Sequence, residues 1–389
     1  MPSFSSQTVP DDALPEGIAN PLSVTCDEFA ANCAASGVLS DFHARNAYRG
    51  LYREGVTEHA AFTVPTAPIV NELRSESNEG EVIKIVTRVD RPSDGPLARD
   101  ARVEHLDIES VVIPMIGRKK RLTYTLCVSS QVGCAMGCGF CETAQMGLVR
   151  SLTPAEIVGQ WFAARHVLGR EIRNIVFMGM GEPLDNLGAV QQAIRVLTDH
   201  NGPAQASSRI TVSTVGRIDA LIGLGEFVRQ RGLQRLGLAV SLNAPNDEVR
   251  SSIMPINRGM PMAELRDALL AFPRRSSSKL CIEYVLIPGV NDLPGHADEL
   301  AEYLRPLHFH PTAGTPGCVV NVIPYNPRRD SPWPAPSEEQ VEVFMSALLD
   351  RGLFVKRRQT KGRDMMGACG QLGSPNIRKR RYVDVTVGA

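Results

Sequence analysis

The sequence predicts an α/β protein, a partial TIM barrel of the (β/α)6 type behind a small N-terminal α+β domain. Two observations predict the barrel. From residue 122 onward, short β-branched runs alternate with amphipathic helical stretches, which implies a parallel sheet with right-handed crossovers. The units number about six, too few to close an eight-stranded barrel. Glycines and polar residues then gather just after successive strands, where a barrel of parallel strands meets its ligands.

In chain order, residues 1–20 are polar and rich in Pro, Ser and Asp and read as a flexible lead. From Pro21 to about Leu73, apolar spacing through Phe29, Ala30 and Cys33, then Phe42, Ala47, Leu51 and Tyr52, predicts a helical module. Alternation over 82–89 and 103–113 predicts a hairpin, which completes an accessory unit over 21–114. The barrel occupies 122–360. Its strands are expected at 124–130, 174–180, 209–214, 236–242, 280–287, 318–324 and 354–359, and helices at 153–168, 188–200, 262–272, 294–304 and 338–349. Thr153 and Glu156 form a capping box at the first of these helices. Residues 361–389 make a separate C-terminal segment.

The 42 basic and 42 acidic residues cancel, so overall charge gives no argument for nucleic acid, and any such claim rests on local patches. Three basic stretches, Arg118-Lys119-Lys120-Arg121, Lys356-Arg357-Arg358 and Arg378-Lys379-Arg380-Arg381, serve equally well as phosphate contacts or as solvated surface. There is no signal sequence after Met1 and no apolar run near 18 residues. With nine cysteines, an odd number, the expected compartment is the reducing cytoplasm.

Three of those cysteines stand as Cys134-x3-Cys138-x2-Cys141. This is the spacing that holds three corners of a [4Fe-4S] cubane through thiolates and leaves the fourth iron open to a small molecule. Structural zinc usually takes four ligands, commonly as paired C-x2-C; no second pair follows, and zinc or unligated buried thiols remain the alternatives. Gly137 and Gly139 suit a loop wrapped closely around a cluster. The polar strand ends are Gly179-Met180-Gly181-Glu182-Pro183, Ser213-Thr214, Ser241-Leu242-Asn243 and Tyr325-Asn326-Pro327. Together they predict a ligand site, with Gly179 and Gly181 admitting close backbone approach and Glu182 offering an acceptor. A tight turn is the other reading of those two glycines.

These motifs, with Thr125-Leu126-Cys127-Val128-Ser129-Ser130-Gln131, Thr143-Ala144-Gln145, Met254-Pro255-Ile256-Asn257-Arg258 and Gly367-Ala368-Cys369-Gly370-Gln371-Leu372, make nearly the whole chain resemble the RlmN/Cfr family of radical SAM RNA adenine methyltransferases. The resemblance implies a [4Fe-4S] cluster on Cys134, Cys138 and Cys141 and S-adenosylmethionine (SAM), two molecules per turnover, bound by Gly181, Glu182, Ser213, Ser241, Leu242, Asn243 and Asn326. Cys369 accepts a methyl group from the first SAM. The second SAM yields a 5'-deoxyadenosyl radical that takes hydrogen from the S-methyl group, and the methylene radical adds to C2 or C8 of adenine. Cys127 resolves the adduct through a transient disulfide with Cys369. Glu109, a surface glutamate on sequence alone, corresponds to the proton acceptor. The implied partners are 23S rRNA or tRNA and an electron donor such as flavodoxin or ferredoxin, with no membrane and a monomeric chain.

A thiol with an ordinary pKa is only about 3% thiolate at pH 7. A cation from Lys361, Arg363 or the 356–358 tract is therefore expected to lower the pKa of Cys369. Cys26, Cys33, Cys281 and Cys318 read as small buried hydrophobes. The sequence departs from the family pattern at Asn243, where histidine is usual, at Glu142, where a small residue is common, and in a longer connection over 115–122. These departures touch the choice of RNA more than the reaction. Two other classes stay in view, a radical SAM enzyme acting on a peptide or small molecule and a non-catalytic RNA-binding relative; the joint presence of Cys127 and Cys369 argues against the first, and the full cluster motif against the second.

Overall fold

The computed structural model describes residues 14–91, 105–117, 120–275, 277–310 and 314–373. Residues 1–13 of the lead, Arg118-Lys119 and the tail Arg378-Lys379-Arg380-Arg381 lie outside the described residues.

Among the described residues a single sheet of ten strands carries the fold, together with two two-stranded ribbons. From one edge its order is Val355–Arg357, Cys318–Pro324, Leu280–Leu286, Gly237–Ser241, Ile210–Thr214, Ile172–Phe177, Leu122–Cys127, Leu106–Ile116, Gly80–Val89 and Ile69–Ser77. The first seven run parallel. Helices Pro154–Phe162, Leu187–Thr198, Ile218–Val228, Met262–Ala271, His296–Leu304 and Glu338–Asp350 lie between them in sequence. This is the expected open α/β barrel, and the Thr153/Glu156 capping box is present. That helix continues into a π-helical turn, Ala163–Val167.

The strands alternate in a way that shapes the site. Ile210, Val212, Leu238, Val240, Ile282, Val320 and Val322 are buried in the main apolar core with the helices. Residues of opposite parity, including Thr211, Ser213, Ser241, Glu283 and Asn321, line two cavities. Closed barrels fill that face with branched apolar side chains, whereas here the polar inner positions leave space.

Two helices open the described chain, Cys26–Ser36 and Asp41–Glu54. An aromatic run, Phe29 to Tyr48 at 5.9 Å, Tyr48 to Tyr52 at 4.8 Å and Tyr52 to Trp161 at 6.0 Å between ring centres, ties them to the first barrel helix. The helical module does not extend to Leu73: Ile69–Ser77 is an edge strand. The strand is half open, with Val70 39% and Leu73 37% exposed, so it lacks the apolar alternation that marks a half-buried strand. The expected hairpin is a three-stranded meander whose last member pairs with the first barrel strand, Val111 opposite Cys127 and Ile113 opposite Thr125. Backbone hydrogen bonding thus carries one sheet from the N-terminal unit into the barrel.

Candidate active site

The cysteine loop follows the first barrel strand and is pinned at its base by Gln131–Val132 pairing with Arg150–Ser151. At Gly133, with φ +75°, a Cβ would overlap the Gly147 carbonyl. The Gly139 N–H donates to Ile253 O at 2.9 Å, and its carbonyl accepts from Arg328 Nε at 2.7 Å. Cys134 and Cys138 are buried with Met136, Phe140, Ile253, Met254, Ile287 and Tyr325. Burial pushes all three thiols up, Cys134 well up. Unligated they stay protonated, and binding iron is what releases their protons. Among the described residues no three His, Cys, Asp or Glu side chains are grouped as ligands of one ion. A cubane instead puts each thiolate on a different iron and needs three thiols around a cavity. Cys134, Cys138 and Cys141 do line one cleft, so the donor set fits the cluster.

Gly181, Glu182, Ser213, Ser241 and Asn243 line the same cleft. The Glu182 carboxylate accepts from Leu184 N and Val215 N, each at 2.9 Å; its pKa is raised by burial, and these N–H groups offset part of that rise. Each carboxylate oxygen retains acceptor capacity toward a ligand ammonium. Ser213 and Ser241 donate to Glu283 Oε2 at 3.0 and 3.3 Å. Asn243 sits in the left-handed region, φ 59°, where Asn is the tolerated non-glycine, and its Oδ1 accepts from Val285 N at 2.9 Å. That conformation gives a local reason for asparagine at this departure.

Two expected SAM contacts lie elsewhere. The Leu242 side chain is buried and lines neither cavity; the residue serves through its carbonyl, which accepts from Arg250 Nε at 3.1 Å. Asn326 lines the second cavity rather than the cysteine cleft, donating to Cys369 O at 3.3 Å and accepting from Arg363 Nε at 3.1 Å. The glycines also have a different cause. A Cβ on Gly181 would stand 2.6 Å from Gln131 Cβ, and one on Gly179 2.6 Å from Val128 O, so both are required by packing against the first strand's continuation. Gly181→Val is therefore expected to lower the unfolding temperature even without SAM. An unchanged melting curve with lost SAM binding would instead place the ligand against Gly181.

The C-terminal segment brings Cys369 to the cleft. Gly370 O accepts from Glu142 N at 2.7 Å, Leu372 O from Thr143 Oγ1 at 2.5 Å, and Gln371 Nε2 donates to Pro327 O at 2.9 Å. Glu142 is buried and bonded to Arg329 N at 3.1 Å, so this departure fastens the cluster loop to the segment carrying Cys369. Of the candidate cations, Lys361 pairs with Glu79, Arg357 with Glu338, and Arg363 reaches Asn326. Arg358 is the one that acts on Cys369. It approaches Glu283 Oε1 at 3.4 Å and Met178 Sδ at 3.2 Å. Its pull downward is outweighed, because burial leaves the Cys369 thiol raised rather than lowered. Burial, with Cys369 nearby, pushes Cys127 up to about 12. Both are free thiols.

Glu109 is not a surface residue. It is buried, paired with Lys84 Nζ at 2.8 Å, and accepts from Gly373 N at 2.9 Å. Burial raises its pKa, opposed first by Lys84. Cys127 and Glu109 line neither cavity. Lys84 and Glu283 escaped the sequence reading. The signal for Glu283 was a carboxylate at an inward position of an otherwise apolar strand.

The second cavity, about 520 Å3, opens on the inner faces of the strands and shares Met178, Ile323 and Cys369 with the cysteine cleft. Among the described residues Cys369 is the only thiol common to both.

Comparison with known proteins agrees with this arrangement. Residues 128–304 match the radical SAM superfamily. A crystal structure of a radical SAM methyltransferase from Sphaerobacter thermophilus superposes with a TM-score of 0.75 at 35% identity, covering 90% of this chain and 98% of that one. Fold and site together define a radical SAM methyltransferase. The dual-specificity RNA methyltransferase RlmN of Sorangium cellulosum is 36% identical over 92% of this chain and 98% of its own, and the probable dual-specificity RNA methyltransferase RlmN 1 of Protochlamydia amoebophila is 43% identical over 279 residues, 72% of this chain and 73% of its own. The chain belongs to the RlmN family.

Proposed function

We propose that the protein methylates a ring carbon of adenine, C2 or C8, in RNA, with 23S rRNA as the first substrate and tRNA as the second. The observation that carries this reading is the position of Cys369, a thiol on the wall between the cysteine cleft and a second cavity, near enough to Cys127 to help push that thiol's pKa up. SAM, held by Glu182, Ser213, Ser241 and Asn243 beside a cluster on Cys134, Cys138 and Cys141, supplies first a methyl cation equivalent and then, after one-electron cleavage, a hydrogen-abstracting radical.

The chain's own groups do the rest. Cys369 loses its proton as it attacks the methyl group, and Arg358 stabilises the thiolate that attacks. Once the S-methyl group has lost a hydrogen atom and bonded to the adenine carbon, one electron passes from the adduct to a one-electron acceptor of the flavodoxin or ferredoxin class and Glu109 takes the proton displaced from that carbon. Cys127 then attacks the Cys369 sulfur; the carbon–sulfur bond breaks toward carbon, a proton completes the new methyl group, and a disulfide remains that takes two electrons from a cytoplasmic thiol reductant. Residues 21–114 act as an accessory RNA-contacting unit, 122–360 as the catalytic barrel, and 361–389 as the segment that delivers the methyl-accepting thiol. The protein works as a cytoplasmic monomer supplied with electrons by a flavodoxin or ferredoxin. Among the described residues no helix is long and apolar enough to cross a membrane.

The test is anaerobic turnover of reconstituted protein with SAM, a low-potential reductant and either RNA, followed by mass spectrometry of the digested nucleosides. Methyladenosine is expected from the wild type and none from Cys369→Ala. Methyladenosine from both would remove Cys369 from the pathway.

A further inference from the structure

The two cavities meet at one sulfur. The cysteine cleft holds the groups suited to the methyl donor, so the methyl group leaves from the other side. Of the described residues, Ile113, Met115, Val176, Met178 and Ile323 give the second cavity apolar walls, and its volume of about 520 Å3 lies within the usual range for small-molecule sites, about 300 to 1,000 Å3. Most polar groups on its inner strands are already engaged. Asn174 donates to Thr125 Oγ1 at 3.0 Å and accepts from Arg209 Nη1 at 3.4 Å, and Asn326 holds Cys369 O and Arg363. Asn321 and Thr211 are the exceptions among the described residues, and only Asn321 carries its donor and its acceptor on separate atoms. It is half-buried, sits level with Glu283 in the strand ladder, and among the described residues its carboxamide makes no hydrogen bond. Arg209, exposed and without an ion pair among the described residues, stands at the cavity's edge.

Resting on the proposed function, we infer that this second cavity is the acceptor pocket, which takes the target purine after it leaves its stack, and that Asn321 is the residue that reads its edge. A carboxamide offers one donor and one acceptor side by side, the pattern that pairs with adenine N6 and a ring nitrogen. The apolar walls hold the ring faces, as pockets for flipped bases do. Arg209 contacts backbone phosphate and contributes affinity without reading the base. Cys369 thus works as a hinge between two binding sites: SAM reaches its sulfur from the cleft, and adenine reaches the methyl carbon from the acceptor pocket.

The experiment splits the reaction at that sulfur. Methylation of Cys369 by SAM without RNA, read by peptide mass spectrometry, reports the donor side; methylation of a short RNA, carrying either adenosine or inosine at the target position, reports the acceptor side. Asn321→Ala is expected to keep wild-type Cys369 methylation, which also shows that the barrel is folded. It should lose about tenfold or more in kcat/KM toward the adenosine RNA and lose the preference over inosine, which lacks the N6 donor. Arg209→Gln should weaken RNA binding, lower the salt dependence by about one charge and leave the adenosine preference intact. Undiminished discrimination in Asn321→Ala, or loss of Cys369 methylation in parallel with RNA turnover, would overturn the assignment. A wild-type protein that methylates Cys369 but no RNA overturns the proposed function itself, and the acceptor pocket with it.

Discussion

Cys127→Ala will leave RNA covalently joined to the protein, and Cys369→Ala will not. The difference follows from the order in which the two sulfurs act, since Cys369 accepts the methyl group before the carbon–carbon bond forms and Cys127 is needed only to break the carbon–sulfur bond afterwards. The Cys127 thiol suits the later role. In the resting protein, burial and then the neighbouring Cys369 push it up to about 12, so at pH 7 about one molecule in 100,000 carries the thiolate that thiol–disulfide chemistry requires. Arg358 opposes that rise and lowers Cys369 as well; once Cys369 is a thioether, Cys127 is the one of the two thiols left for the guanidinium to act on. A denaturing gel with end-labelled RNA should show a shifted, nuclease-sensitive band for Cys127→Ala and none for Cys369→Ala or the double variant. A shifted band in the double variant would show that another residue carries the adduct. No band in either single variant, with methyladenosine still formed, would show that the adduct resolves without Cys127.

Much of this site was legible because its chemistry is local. Three thiols in eight residues, four polar strand ends and a cysteine in a glycine-rich turn announce themselves by spacing, and the parallel sheet repeats its apolar strands at intervals that only a strand-helix alternation explains. What failed to show was set by contacts across the chain. Glu109 read as a surface glutamate because its partner Lys84 lies on the neighbouring strand, and nothing in Ile108-Glu109-Ser110-Val111 encodes that pairing. Gly181 lines the cleft, and the further reason for a glycine there, the room it leaves for Gln131 fifty residues earlier, could not be read from the sequence. The basic residues before Cys369 could not be ranked until the fold paired Lys361 with Glu79 and Arg357 with Glu338 and set Arg358 near Glu283 and the two thiols. The expected fall in the Cys369 pKa failed because proximity to a cation is readable from sequence and the depth of burial is not.

Lys84→Met will destabilise the protein by about 3 to 5 kcal/mol, the usual cost of breaking a buried ion pair by removing one partner. The Lys84 and Glu109 side chains are 3% and 10% exposed, and Lys84 Nζ also donates to Met366 O at 3.2 Å and approaches Met365 O at 3.4 Å. The variant strips both the carboxylate and the segment leading to Cys369 of a partner. The loss should depend on pH with a definite sign. Burial already raises the pKa of Glu109, and Lys84 is the first influence opposing that rise, so removing the ammonium raises the pKa further. A carboxyl whose folded-state pKa exceeds its unfolded value binds its proton more tightly in the folded protein. Its contribution is therefore fully present below the unfolded pKa, about 4.3, and is lost as pH rises through the folded value. Urea unfolding of Lys84→Met should show a deficit against wild type that is smaller at pH 5 than at pH 8. Adding Glu109→Gln should recover much of it at pH 8, because the buried charge is then gone. A deficit equal at both pH values, or a double variant as unstable as the single one at pH 8, would mean that Lys84 stabilises the fold through the Met365 and Met366 carbonyls and not through Glu109.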